Sequence, residues 1–217
     1  DWALEKITTN LKQARDAGVM VFMASEAIQI RTVGSGEGIP SDDPDQAPGA
    51  QDPHLWMDPL AMKSVADALA ARIKNDFKVD LTSRSKDLDK RLDALDADIR
   101  ASVATIPTAN RKLVTGHESM GYYAQRYGFK LVGAIVPSLT TQAEVSARDM
   151  AALKKLIAAN KVSVVFTELG TPAAVAEALA KEAGVKAVPL TTHSLPEDGS
   201  YFTFQRNLTA QIVGSLK

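Results

Sequence analysis

Apolar residues at Leu4, Ile7, Leu11 and Ala14 recur at helical spacing, and Gly18 is placed to stop that helix at its end. The five residues 19–23, Val-Met-Val-Phe-Met, then read as a short buried strand. From 32 to 51 periodicity is lost and Gly, Pro, Ser and Asp dominate, which predicts a mobile surface loop. Asp58-Pro59 has the form of an N-cap followed by proline in the first helical turn, and Met62, Val65, Leu69 and Ile73 mark one face of the helix it opens. A longer helix follows over 83–104, where Leu88, Leu92, Leu95, Ile99 and Val103 are spaced by threes and fours among dense charges, and Pro107 ends it. At 1.5 Å per residue this helix is about 30 Å long, enough to cross a small domain, so it reads as a spine between two lobes.

Beyond Pro107 the pattern alternates regularly. Strands are predicted at 112–115, 130–136, 162–167 and 185–189, and helices at 119–127, 146–160, 172–183 and 201–216. Strands separated by helices of this length form a parallel sheet covered on both faces. Right-handed crossovers then gather every strand-to-helix loop on one edge, the edge where open α/β sheets bind their ligands. His117, Glu168 and His193 all fall in such loops.

Composition narrows the chemistry. The 217 residues suffice for a proper core, and 25 Lys+Arg against 26 Asp+Glu leave a net charge of −1, with no basic stripe for nucleic acid. The absence of cysteine removes disulfides, thiolate metal sites and cysteine nucleophiles. No apolar run reaches the 18 or so residues of a membrane span. What remains distinctive is histidine. The chain has only three, His54, His117 and His193, and each stands at a junction where a helix is about to begin. Imidazole is the commonest side-chain metal ligand, so this placement suggests one converging site. A helix N-terminus beside His117 disfavours its protonated form and keeps it competent as a ligand.

The segments Asp52-Pro53-His54-Leu55-Trp56-Met57-Asp58-Pro59 and His117-Glu118-Ser119-Met120-Gly121-Tyr122-Tyr123-Ala124-Gln125-Arg126-Tyr127-Gly128 resemble two signature stretches of a known family. Its members are the periplasmic or lipid-anchored metal-binding proteins that serve ABC importers of zinc and manganese. The similarity continues through Ala143-Glu144-Val145-Ser146, Val165-Phe166-Thr167-Glu168 and the closing helix with its Arg206-Asn207. The resemblance implies an α/β fold of two lobes, each a mostly parallel sheet flanked by helices, joined by one long spine helix. On this chain that places an amino-terminal lobe at 1–82, the connecting helix at 83–106 and a carboxy-terminal lobe at 107–217. It also implies that His54, His117 and His193 are metal ligands, the last standing where the family commonly has aspartate. The resemblance places the family's first ligand histidine in a region ahead of this sequence's first helix. An incomplete amino-terminal lobe is therefore expected, with the fourth metal position filled from that region, by Asp198 or by water.

Nitrogen donors suit zinc, whereas manganese prefers oxygen, so zinc is the expected ion and manganese the second choice. Affinity for zinc should then fall as pH drops through about 6.5, where ordinary imidazoles protonate. Glu168 is the candidate to orient a ligand from behind. The resemblance makes the chain a monomeric, non-enzymatic capture protein of the periplasm or cell exterior, lipid-anchored or free, whose partner is the membrane permease of an ABC transporter. Two other readings compete. A three-histidine site with an open water position also describes a zinc hydrolase, for which Glu118 would be the base, although no His-Glu-x-x-His helix or nucleophile elbow is present. A two-lobed protein binding an organic molecule or a metal chelate would instead need an apolar cleft with aromatic stacking residues.

Overall fold

A computed structural model describes residues 8–38, 47–139 and 145–217. The first turn of the predicted amino-terminal helix, most of the central part of the 32–51 loop and the Ala143-Glu144 pair lie outside those residues. Helix α1 (Thr8–Asp16) ends before Gly18, which takes a positive φ of 84° that a side chain would disfavour. The run 19–23 differs from expectation. It forms no strand, and Val19 and Met20 are more than half exposed, because among the described residues nothing pairs with it to make an apolar run into a sheet member. A short 3₁₀ turn over Ala24–Ala27 follows. An antiparallel bridge between Thr32 and Gln51 then brings the chain back on itself, so that Asp52 is tied to Arg31 by a backbone hydrogen bond of 2.9 Å.

Helix α2 (Pro59–Phe77) starts as the sequence predicts. The Asp58 side chain accepts from the Leu60 N–H at 2.8 Å, with proline in the first turn. The same carboxylate receives Arg126 at 2.9 and 2.6 Å, which fastens the start of α2 to the next half of the molecule. Helix α3 (Thr82–Ala104) is the expected spine. It runs against α2 and against α7 (Tyr201–Leu216), burying Leu92, Leu95, Ile99 and Val103 along one side.

All paired strands among the described residues lie beyond α3. Strand β1 (Lys112–Thr115) pairs in parallel with β2 (Lys130–Ala134) around α4 (Gly121–Tyr127). Strand β3 (Val164–Thr167) pairs in parallel with β4 (Lys186–Pro189) around α6 (Ala173–Ala183), and α5 (Ala147–Asn160) links the two pairs. β1 and β3 are spatial neighbours, so the layer reads β2, β1, β3, β4. The strand order reverses between β1 and β3, and the carboxyl ends at such a reversal open a natural binding crevice. Alternation along the strands makes the layer two-sided. Leu113, Val164 and Phe166 join the core shared with α3, α4 and α7, whereas Val114 and Val165 join the one beneath α5 and α6.

Candidate metal centre

Three loops deliver the histidines. His117 follows β1, and His193 follows β4. His54 comes from the Asp52-Pro53-His54 segment, just ahead of a 3₁₀ turn at Leu55–Met57. The structure brings all three together. One candidate ligand atom from each lies within 4.8 Å of the others, and the ring centroids are 5.3 Å (54 to 117), 5.7 Å (54 to 193) and 4.9 Å (117 to 193) apart. Neighbouring nitrogens around a tetrahedral zinc with Zn–N bonds of 2.0–2.1 Å are about 3.3 Å apart, so a small inward shift of the rings would complete the geometry. His54 and His117 are fully buried, and only His193 is exposed.

The side of each ring turned away from this meeting point is held. Asp52 Oδ1 lies 2.8 Å from His54 Nδ1 and also accepts the His54 backbone N–H at 3.0 Å. This fixes the proton on Nδ1 and leaves Nε2, a buried atom with no hydrogen-bond partner among the described residues, with a free lone pair for a metal. The other Asp52 oxygen receives Arg31 Nη1 at 3.1 Å, and Arg31 in turn pairs with Glu37. Gly121 makes room for this contact, because a Cβ there would overlap Asp52 Oδ2 and the Arg31 guanidinium. Gly121→Ala is therefore expected to cost about 1–3 kcal/mol of stability by overpacking, read by urea unfolding of the metal-free protein.

Glu168, at the end of β3, plays the matching part for His117. Its Oε2 lies 3.0 Å from His117 Nδ1, within ion-pair reach of the ring. The same oxygen accepts the hydroxyls of Ser119 and Thr192, each at 2.8 Å, while Oε1 accepts the Gly116 N–H at 3.1 Å. Burial pushes this carboxyl up, but His117, Thr192 and Ser119 outweigh it, and the net shift is downward. The Gly116 N–H and the Ser119 and Thr192 hydroxyls, all donating to it, favour its charged form. Burial, reinforced by His117 and His54, lowers His193 from 6.5 to about 4, so protons compete for this ring only well below the threshold expected from an ordinary imidazole.

Trp56 ties the loops together. Its indole lies edge-on to His54 and His193, with centroids 5.3 and 5.6 Å away, and its Nε1–H donates to the Thr192 carbonyl at 3.0 Å. The Trp56 carbonyl accepts from Tyr201 and Gln205 on α7, both at 2.8 Å.

Two sequence candidates stand apart. Asp198 accepts from the Ser200 N–H at 2.9 Å and from the Thr203 hydroxyl at 2.6 Å, so it braces the start of α7 and is not one of the converging groups. Glu118 lines a small pocket with Arg31, Glu37 and Gly121. Burial and the nearby Asp52 and Glu37 charges raise it to about 7, and it too is outside the imidazole group. Asp52, Arg31 and Thr192 were not singled out by sequence pattern. Only Asp52 carries a local signal, an aspartate two positions before a histidine and so able to cap that residue's own N–H.

Fold and site together set three imidazoles at the crevice beside the carboxyl ends of a parallel strand layer. The family model described as zinc-uptake complex component A, periplasmic, matches residues 1–215, and the chain belongs to that family. The zinc-binding protein TroA of Treponema pallidum is 33% identical over 132 residues, which covers 59% of this chain and 42% of that protein. The high-affinity zinc uptake system protein ZnuA of Bacillus subtilis is 33% identical over 146 residues, 66% of this chain and 44% of its own length. The match thus spans less than half the length of either relative. The solved structure of the periplasmic zinc-binding protein TroA from Treponema pallidum superposes with a TM-score of 0.74 at 25% identity, covering 97% of this chain and 76% of that one.

Proposed function

We propose that this chain captures zinc on His54, His117 and His193 and presents it to the membrane permease of an ABC importer. The observation that carries the reading is the convergence of three imidazoles from separate loops. Two of them have a buried carboxylate at Nδ1, the arrangement that orients histidines toward a metal and strengthens them as donors. Three neutral nitrogens favour zinc over manganese, and water or a fourth side chain completes the tetrahedron. The protein acts as a monomer outside the cytoplasm, free in the periplasm or lipid-anchored. The family's description as a periplasmic zinc-uptake component supports the location, and relatives named for zinc binding and zinc uptake support the ion.

The hydrolase reading has less support. Glu118, its base, lines the Arg31–Glu37 pocket, and among the described residues the converging group is three histidines. An organic ligand would need a stacking surface, whereas Trp56 is engaged by His54, His193 and the Thr192 carbonyl.

Titration calorimetry at neutral pH on chelator-stripped protein tests the proposal. The expected outcome is one zinc per chain, with manganese at least about tenfold weaker as its preference for oxygen donors requires. Absence of zinc binding, or manganese binding as tight as zinc, would refute it.

A further inference from the structure

His193 is the one exposed member of the cluster, and its ring nitrogen Nδ1 meets the Thr192 hydroxyl rather than a carboxylate. An exposed imidazole is free to take either tautomer and to swing away, yet its ring faces His54 and His117. The restraint comes from its neighbour in sequence. Thr192 is buried, and its hydroxyl lies 2.8 Å from Glu168 Oε2 and 2.7 Å from His193 Nδ1. A hydroxyl has a single proton, and an ionised carboxylate can only accept. The Thr192 O–H must therefore point at Glu168, and the oxygen lone pair that remains can only accept from His193. That places the ring proton on Nδ1 and the free lone pair on Nε2. The Thr192 carbonyl is pinned independently by the Trp56 N–H, so the residue is held from both ends.

We infer that Thr192 is a positioning residue that makes His193 a ligand, its hydroxyl relaying the Glu168 carboxylate to Nδ1 so that Nε2 faces the metal. One carboxylate then orients two ligands, His117 directly and His193 through Thr192. The inference rests on the zinc site proposed above but goes beyond it, since it gives a hydroxyl-bearing residue that touches no metal a fixed share in the affinity.

Thr192→Val keeps the shape and removes the relay, and Thr192→Ser keeps the hydroxyl. Two-bond ¹H–¹⁵N spectra of the metal-free protein at neutral pH report which ring nitrogen of His193 carries the proton. The expected result is Nδ1–H in wild type and in Thr192→Ser, with Nε2–H appearing in Thr192→Val. Zinc affinity should fall roughly 10- to 100-fold in Thr192→Val, the usual cost of losing an outer partner, and should stay near wild type in Thr192→Ser. In a His193→Ala background the valine substitution should cost nothing further, because its effect acts through that ring. An unchanged tautomer overturns the inference, as does an affinity within about twofold of wild type or a loss of equal size without His193. Should wild type take up no zinc, the proposed function fails, while the metal-free tautomer comparison still decides the role of Thr192.

Discussion

Replacing His117 with alanine is expected to weaken zinc binding by about two to three orders of magnitude, and His54→Ala by a similar factor. Structural zinc sites have apparent binding free energies of roughly 10–16 kcal/mol shared among four ligands, so one imidazole contributes about 2.5–4 kcal/mol. Burial adds to the loss. Both rings are shut off from solvent, and removing either leaves a buried carboxylate, Glu168 or Asp52, without the group it orients. His193→Ala should cost less, since water can reach the vacated position of an exposed ring. Competition against a zinc-selective dye would measure all three. An order in which His193→Ala is the most damaging would contradict the burial argument.

The second large effect concerns folding. Glu168→Ala should destabilise the metal-free protein by about 3–5 kcal/mol, the range for breaking a buried charged cluster. The Gly116 N–H and the Ser119 and Thr192 hydroxyls all lose their acceptor together, in a region closed to water. Glu168→Gln retains one acceptor oxygen and should lose roughly half as much. Urea unfolding of the metal-free variants gives the comparison, and an alanine variant within about 1 kcal/mol of wild type would show that Glu168 is not the centre of this network.

What could be read from the sequence was whatever depends on local pattern. Helix α7 and strand β1 have the predicted bounds, and α3 starts one residue before its predicted position, because apolar spacing, Pro107 and the cap residues are all short-range signals. The run 19–23 failed as a strand because composition alone cannot supply a pairing partner. At the site, the loops after β1 and β4 could be placed from the alternation of strand and helix, which brought His117 and His193 to one edge. His54 could not, since it follows no strand, and only the resemblance of its Asp-Pro-His-Leu-Trp segment linked it to the others. The supporting partners were the least legible. Glu168 meets Gly116 across 52 positions of sequence and Thr192 across 24, and such closeness is a property of the β1–β3–β4 layer rather than of any window of residues. A threonine between strand and histidine looks like ordinary loop composition until the fold sets Glu168 beneath it.

The proposed function requires a single ion held by three side chains. Diffraction from crystals grown with zinc, recorded on both sides of the zinc absorption edge, tests it most directly. The predicted result is one anomalous peak lying about 2.0–2.1 Å from Nε2 of His54, His117 and His193 alike. A peak bound through other side chains, or one that leaves any of these three rings out of reach, would contradict it.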